Sequence, residues 1–218
     1  VFLHARIASE KGLTFAYQRA PLPEKLIGDP VRIKQVLTNL IGNAIKFTQE
    51  GHVHLVVTSQ PAKNNNIALR LSIEDTGIGI DNKDKQKLFR AFSQLNEALN
   101  RSYHGTGLGL VISQQLVKLM RGSIHYDSTY GIGSQFHVAI QCKINSNTPD
   151  ITPDSPWQNK SLVIYDCNPI TRRANAMLFS QLGAQVTSVE TPQFLLTLSH
   201  HYDILMVDSV TLDKCKHP

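Results

Sequence analysis

Between Asp29 and Thr48 the chain carries its most restrictive pattern. Ile33, Val36, Leu37, Leu40, Ile41, Ala44 and Ile45 recur at the spacing of a helix and give it one broad apolar face. Asp29 followed by Pro30 supplies an N-cap and a first helical residue, so the helix is predicted to open there. An apolar face this wide must pack against another layer, and the flanking sequence offers strands. Gly12–Gln18, His52–Ser59 and Ile67–Asp75 read as strands; in the last, Ile67, Leu69, Leu71 and Ile73 share one side and Ala68, Arg70, Ser72 and Glu74 the other. A second helix is expected at Lys83–Gln94 and a third at about Gly109–Arg121, followed by strands at Ser123–Ser128 and Ser134–Lys143. This order predicts an α/β (α+β) fold built as a two-layer α/β sandwich.

Residues 145–159, NSNTPDITPDSPWQN, hold only Ile151 and Trp157 as large apolar side chains and read as a connector. A first domain is therefore expected at 1–144, a linker at 145–160 and a second domain at 161–218. Residues 1–144 carry 17 basic and 10 acidic groups, while the remainder carries 5 and 7, so the overall +5 belongs to the first domain. A polyanionic ligand suits that charge, and so does a solvated basic surface; no nucleic-acid motif accompanies it, and no direct nucleic-acid binding is expected. The apolar runs Leu162–Tyr165 and Ile204–Val207 fall far short of the roughly 20 residues of a membrane span, so no membrane contact is expected. Cys142, Cys167 and Cys215 are odd in number and far apart, which argues against a disulfide framework and for a reducing, cytosolic setting. The chain begins at Val1 without a signal region and reads as an excised fragment.

On the long helix, with 100° per residue, Asn43 lies at about 40° and Lys46 at about −20° from Asn39, roughly 110 to 150° from the apolar cluster. Two carboxamides and an ammonium thus share one stripe. Carboxamide oxygens can ligate a hard cation such as Mg²⁺, and a lysine is a point charge for phosphate; the same stripe also serves as a helix's wet face. Asp75 ends the strand Ile67–Asp75 on its apolar side, where a carboxylate needs a donor to offset desolvation. It opens DTGIGI at 75–80, in which Gly77 and Gly79 permit a sharp turn and a close approach to a flat ligand. HGTGLGL at 104–110 places Gly105, Gly107 and Gly109 just before a helix, where backbone N–H groups and the dipole favour phosphate. Its third glycine comes one position too early for the dinucleotide fingerprint, and there is no P-loop. Each of these runs, taken singly, is also an ordinary turn.

In this order NLIGNAIKFT at 39–48, DTGIGI at 75–80, LFRAF at 88–92 and GTGLGL at 105–110 resemble the N, G1, F and G2 boxes of the ATP-binding catalytic domain of sensor histidine kinases. The resemblance spans about residues 1–144, includes GIGSQF at 131–136, and is nearest to the hybrid histidine kinases of the BarA and GacS type. It implies ATP and Mg²⁺ as ligands, with Asn43, assisted by Asn39, holding the metal and Lys46 reaching the phosphates. Phe47 would line the nucleotide pocket, Asp75 would accept the adenine amino group with help from Ser134 through water, and Gly77, Ile78 and Gly79 would form the turn beside it. Residues 81–104 would be a mobile lid in which Phe89 and Phe92 pack and Arg101 approaches the phosphates; Gly105, Thr106, Gly107, Leu108, Gly109 and Leu110 would hinge it and cradle phosphate. Phe89 and Phe92 also suit a plain helix core, and Arg101 a solvated surface. In the wider superfamily shared with gyrase, Hsp90 and MutL, the ATPases carry a water-activating Glu one turn before the metal-binding Asn. Asn39 stands there in this chain, so a kinase rather than a rapid ATPase is implied.

None of the nine histidines is followed by an acidic residue, as the family's acceptor histidine typically is. The acceptor and the dimerisation contacts belong to an upstream hairpin, so the fragment is expected to bind ATP, to be monomeric and not to phosphorylate itself. From Ser161 the order strand, helix from about Pro169 to Leu182, strand, helix, strand resembles the opening of a flavodoxin-like receiver domain. Asp208 stands at the phosphoacceptor position and Asp166 at one metal-binding position, but Cys167 replaces the second acid, so a truncated, degenerate receiver is expected. The resemblance further implies downstream receiver and histidine phosphotransfer domains or a response regulator as partners, and the cytoplasmic part of a bacterial inner-membrane sensor as the setting. Two other readings of the same residues are a non-catalytic nucleotide-binding scaffold and a serine kinase of the anti-sigma type; the F box and the receiver-like segment disfavour the latter.

Overall fold

The structure, a computed structural model of the chain, describes residues 2–23, 25–63, 66–90, 107–145, 155–191, 193 and 202–208. Two compact units are present: Val1–Phe15 with Ala20–Thr148, and Ala16–Arg19 with Pro149–Pro218.

The long helix, α2 (Pro30–Phe47), opens where the sequence predicts: the Asp29 carboxylate accepts the Arg32 N–H at 3.0 Å, and Thr48 closes the helix. It is preceded by a nine-residue helix, α1 (Phe2–Glu10), that the sequence reading leaves out, and by strands β1 (Thr14–Arg19) and β2 (Leu26–Ile27). Strands β3 (His52–Pro61) and β4 (Asn66–Asp75) follow, then helix α3 (Gly109–Leu119) and strands β5 (Ser123–Thr129) and β6 (Gly133–Ile144). They form a six-stranded sheet in the order β1-β3-β4-β6-β2, with β5 also on β6. Val36, Leu40, Ile41, Ala44 and Ile45 of α2 and Val117 of α3 meet Val53, Leu55, Ile73, Val138 and Ile140 of the sheet in one core. This is the two-layer α/β sandwich. Each central strand buries alternate residues, because successive side chains leave opposite faces of the pleat.

The α-helix expected at Lys83–Gln94 is not formed in its described part: Lys85–Lys87 make a single 3₁₀ turn, and 91–94 lie outside the described residues. The Asp81 carboxylate accepts the Lys83 N–H at 3.1 Å, a local turn that competes with the helical ladder. From Asp81 to Lys87 no apolar residue appears, so the segment has no face with which to pack as a helix.

In the second unit β7 (Ser161–Tyr165) lies between two parallel neighbours, β8 (Gln185–Val189) and β9 (Ile204–Val207). Helix α4 (Pro169–Gln181) links β7 to β8 and is capped by Asn168, whose Oδ1 accepts the Ile170 N–H at 2.9 Å. Leu162, Ile164, Phe179 and Ala184 form its core with Trp157, whose ring meets Phe179 edge-on at 4.6 Å. The helix expected between β8 and β9 lies outside the described residues apart from residues 191 and 193 at its start.

Candidate functional site

Helical spacing brings Asn39, Asn43 and Lys46 onto one side of α2, and the packing of α3 decides what they face. The Asn39 Nδ2 donates to Gly109 O at 3.2 Å and contacts Ser113 Oγ at 3.3 Å, which fixes the first turn of α3 against α2. With its nitrogen committed, Asn39 keeps its carbonyl oxygen for a ligand. The Asn43 carboxamide, half-buried, makes no hydrogen bond among the described residues. Among the described residues no side chain caps the N-terminus of α3, which begins beside Asn39. Lys46 lies over the Phe47 ring at 5.0 Å, and partial burial draws its ammonium below the usual lysine range.

Asp75 is buried, 8% exposed, at the end of β4, where β4–β6 pairing sets it opposite Ser134. Its Oδ1 accepts the Gly77 N–H at 2.9 Å. Burial pushes the carboxyl above the usual range; hydrogen bonds from the backbones of Gly77 and Ser134 oppose the shift, and the Glu74 charge adds slightly to it. Gly77 fits into a space that no larger residue can enter: a Cβ there would sit 2.5 Å from Phe47 O and 2.8 Å from Asp75 Oδ1. Ile78 N–H reaches the same Phe47 carbonyl at 3.3 Å, so the glycine turn is pinned to the tip of α2. Gly79 holds φ at +64°, and a side chain there would overlap the Thr129 carbonyl. Gly131 N donates to Ile78 O at 2.8 Å and closes the other side of the turn.

Of the residues singled out in the sequence, Asn39, Gly107, Leu108, Gly109 and Leu110 gather at the α2–α3 junction, while Phe47, Asp75, Gly77, Ile78, Gly79 and Ser134 gather at the end of β4. Leu110 packs against the core, as does Phe89, whose ring lies 6.0 Å from Tyr126. Phe92, Arg101, Gly105 and Thr106 lie outside the described residues. Two residues were missed. Ser128 Oγ accepts the Ile80 N–H at 2.8 Å, meets Ser134 Oγ at 3.0 Å and bonds Gly133 O at 3.0 Å, tying the glycine turn to β6. Thr76 Oγ1 accepts the His52 N–H at 2.9 Å and donates to Glu50 O at 3.2 Å. Only the register of β5 on β6, which pairs Ser128 with Ser134, reveals the first; nothing local signals it.

The residues present fit a nucleotide and a hard cation. Asp75 offers a desolvated carboxylate that favours a donor, and the two asparagines offer neutral oxygen ligands of the kind a phosphate-bound Mg²⁺ accepts.

The acids of the second unit do not assemble in this way. Asp166 is 3% exposed; its Oδ2 accepts from Thr171 Oγ1 at 2.5 Å, its Oδ1 from Asn168 N at 2.8 Å, and Arg172 Nη1 donates to its backbone carbonyl at 2.7 Å. Cys167 is exposed, and Asp208 lies at the end of β9, its N–H on Tyr165 O at 3.2 Å. Among the described residues no three His, Cys, Asp or Glu side chains converge to hold a metal.

Residues 28–144 match the family model described as histidine kinase-, DNA gyrase B- and HSP90-like ATPase. The chain is 38% identical over 183 residues to the sensor histidine kinase GacS of Pseudomonas protegens, covering 84% of this chain and 20% of that protein. It is 35% identical over 209 residues to the signal transduction histidine-protein kinase BarA of Escherichia coli (strain K12), covering 95% and 22%. It thus spans about a fifth of the length of these relatives. The crystal structure of full-length ShkA in complex with AMPPNP superposes with a TM-score of 0.74 at 26% identity, over 96% of this chain and 42% of that one.

Proposed function

The chain belongs to the histidine kinase-, DNA gyrase B- and HSP90-like ATPase family, and from that premise we propose that residues 1–144 are the catalytic ATP-binding domain of a hybrid sensor histidine kinase. It binds Mg-ATP and transfers the γ-phosphoryl group to a histidine on an upstream dimerisation hairpin. The observation that carries this reading is the buried Asp75 carboxylate, held by the Gly77 N–H in a turn pinned to the tip of α2, the helix that carries Asn39, Asn43 and Lys46. That ShkA was crystallised with AMPPNP supports the choice of nucleotide.

In this site the Asp75 carboxylate accepts a hydrogen bond from the amino group of the base, and Gly77, too close to Phe47 O to carry a side chain, holds the turn beside it. Lys46 places positive charge against the phosphates, and the first turn of α3 offers N–H groups to them. Asn43 and Asn39 would hold Mg²⁺, which supplies neutralisation of the charge that develops on the phosphates. The position one turn before Asn43 is Asn39, which cannot take a proton from water, so hydrolysis is slow. An imidazole acceptor is itself a nucleophile, and positioning suffices for its attack. Residues 161–218 form a receiver-like segment in which Thr171 and Asn168 already occupy the Asp166 carboxylate, and which does not transfer phosphate itself. The chain would be a cytoplasmic part of a bacterial inner-membrane sensor, working with downstream receiver and phosphotransfer domains or a response regulator; among the described residues no helix is long and apolar enough to cross a membrane.

Calorimetric titration with ATP and Mg²⁺ tests the reading. Saturable binding that weakens roughly 10- to 100-fold in Asp75→Ala, the scale of a hydrogen bond to a charged group, supports it. Transfer to a supplied hairpin, absent from the chain alone, completes it; binding that Asp75→Ala leaves unchanged refutes the pocket.

A further inference from the structure

The C-terminal turn of α2 carries Lys46 and Phe47 and presents unsatisfied carbonyls, as every helix end does. Here one side chain meets three of them. Lys11 Nζ donates to Ile45 O at 2.7 Å, Lys46 O at 3.1 Å and Thr48 O at 2.6 Å, 34 to 37 residues away in sequence. The ammonium sits at the negative end of the α2 dipole, where a cation is favoured. Its own backbone belongs to the last turn of α1: Lys11 N–H bonds Ile7 O at 3.2 Å and Ala8 O at 3.1 Å. Ala8 and Leu13, on either side, are buried in the core, so the base of the lysine cannot drift.

The contacts continue into the site. Phe47 O, one residue from the capped Lys46 carbonyl, receives Ile78 N–H and limits the space at Gly77. The loop after Thr48 is bound twice more: Thr14 N–H, from the first residue of β1, bonds Gly51 O at 3.0 Å, and Thr76 Oγ1 bonds Glu50 O. Lys11 therefore ties the end of α1 to the segment that aims Lys46 at the phosphates.

We propose that Lys11 is a positioning residue for nucleotide binding: it fixes the tip of α2 so that Lys46 meets the phosphates, and makes that placement depend on how the end of α1 is held. This rests on the nucleotide reading given above. Because Asp75 holds the base and Lys46 the phosphates, loss of the Lys11 cap acts on ATP more than on adenosine.

The test uses the 218-residue chain with Lys11→Met, which keeps the stem and removes the charge, and Lys11→Arg, which keeps a cation and its donors. ATP and adenosine affinities are measured by calorimetry, and amide exchange is followed at Thr48 and Ile78. Lys11→Met is expected to weaken ATP about tenfold and adenosine less than about twofold, the scale of a charged cap acting through one neighbour, with Lys11→Arg within about threefold of the parent. Amide protection at Thr48 and Ile78 falls while that of β4 stays. Equal losses for ATP and adenosine, or unchanged affinity, overturn the proposal. If the parent chain does not bind ATP the functional reading falls, and exchange decides the role of Lys11 by itself: unchanged protection at Ile78 overturns it. Should Lys11→Met not fold, Lys11→Gln is carried through the same measurements with the same outcomes.

Discussion

Gly77→Ala is the substitution whose consequence follows most directly from geometry. The new Cβ would stand 2.5 Å from Phe47 O, 2.9 Å from Phe47 C and 2.8 Å from Asp75 Oδ1, where real Cβ contacts essentially never fall below 3.0 Å. Two of the three obstructing atoms are backbone at the end of α2, so relief requires the glycine turn and the helix tip to separate by about half an ångström. Overpacking of this kind costs about 1–3 kcal/mol, or roughly 3–10 °C in melting temperature for a domain of this size. The first bond to lengthen is Ile78 N–H to Phe47 O, already 3.3 Å, and with it the turn that holds Asp75 loosens. ATP affinity is expected to fall more than about tenfold. Gly42→Ala is the matched control: it lies within α2, nothing stands within 4 Å of its added Cβ, and a gain of about 0.5–1 kcal/mol is expected from helix propensity alone. Trp157, the single tryptophan, packs on Phe179 in the second unit and reports that unit, so the melt of the first is read by far-ultraviolet circular dichroism. Gly77→Ala melting at or above the parent temperature with ATP affinity intact would refute the steric argument.

Asp75→Asn trades function for stability. Burial raises the carboxyl, so its contribution to folding is fully present below its ordinary value of 3.8 and is lost as pH rises through the folded value; Asn, mimicking the neutral acid, should melt higher than the parent at neutral pH, with the gap closing toward pH 4, and should lose ATP. A variant less stable than the parent at neutral pH contradicts this. Asn39→Asp keeps the shape but sets a carboxylate against Gly109 O, and should cost about 1–3 kcal/mol in denaturant unfolding together with ATP affinity; an unchanged midpoint would show that the α2–α3 contact does not depend on the Nδ2 donor. Incubation with a small phosphodonor and Mg²⁺ should leave Asp208 unmodified by intact-mass measurement, since among the described residues no three metal-ligating side chains converge; an 80-dalton-scale adduct mapped to Asp208 would mean that the second unit is a working receiver.

What could be read in advance divides along a physical line. Periodicity is a local property, and α2 and the inward placement of Asp75 followed from it: the parity that puts Ile67, Leu69, Leu71 and Ile73 in the core carries Asp75 in with them. Helix α1 was missed because nine residues hold too few turns for a period to stand out. The α-helix expected at Lys83–Gln94 does not form in its described part, where Asp81, just ahead of it, satisfies the Lys83 backbone donor locally.

Strand register and side-chain reach are not local, and there periodicity is silent. Asp75 opposite Ser134, Ser128 beneath Ile80 and Lys11 on the end of α2 join positions 34 to 59 residues apart, and no spacing rule predicts any of them. Thr171 on Asp166 is nearer, five residues away, yet which partner a buried carboxylate takes depends on how α4 leaves β7. The tip of α2 shows both kinds of information at once. That Lys46 and Phe47 stand on one helix beside Asn43 is legible from the period of α2. Where that helix stops, and how rigidly it holds them, is decided by three carbonyls, a lysine from another element and a glycine too close to admit a methyl group. Substitutions that keep every motif residue but disturb those contacts should therefore impair the site while its sequence signature stays complete.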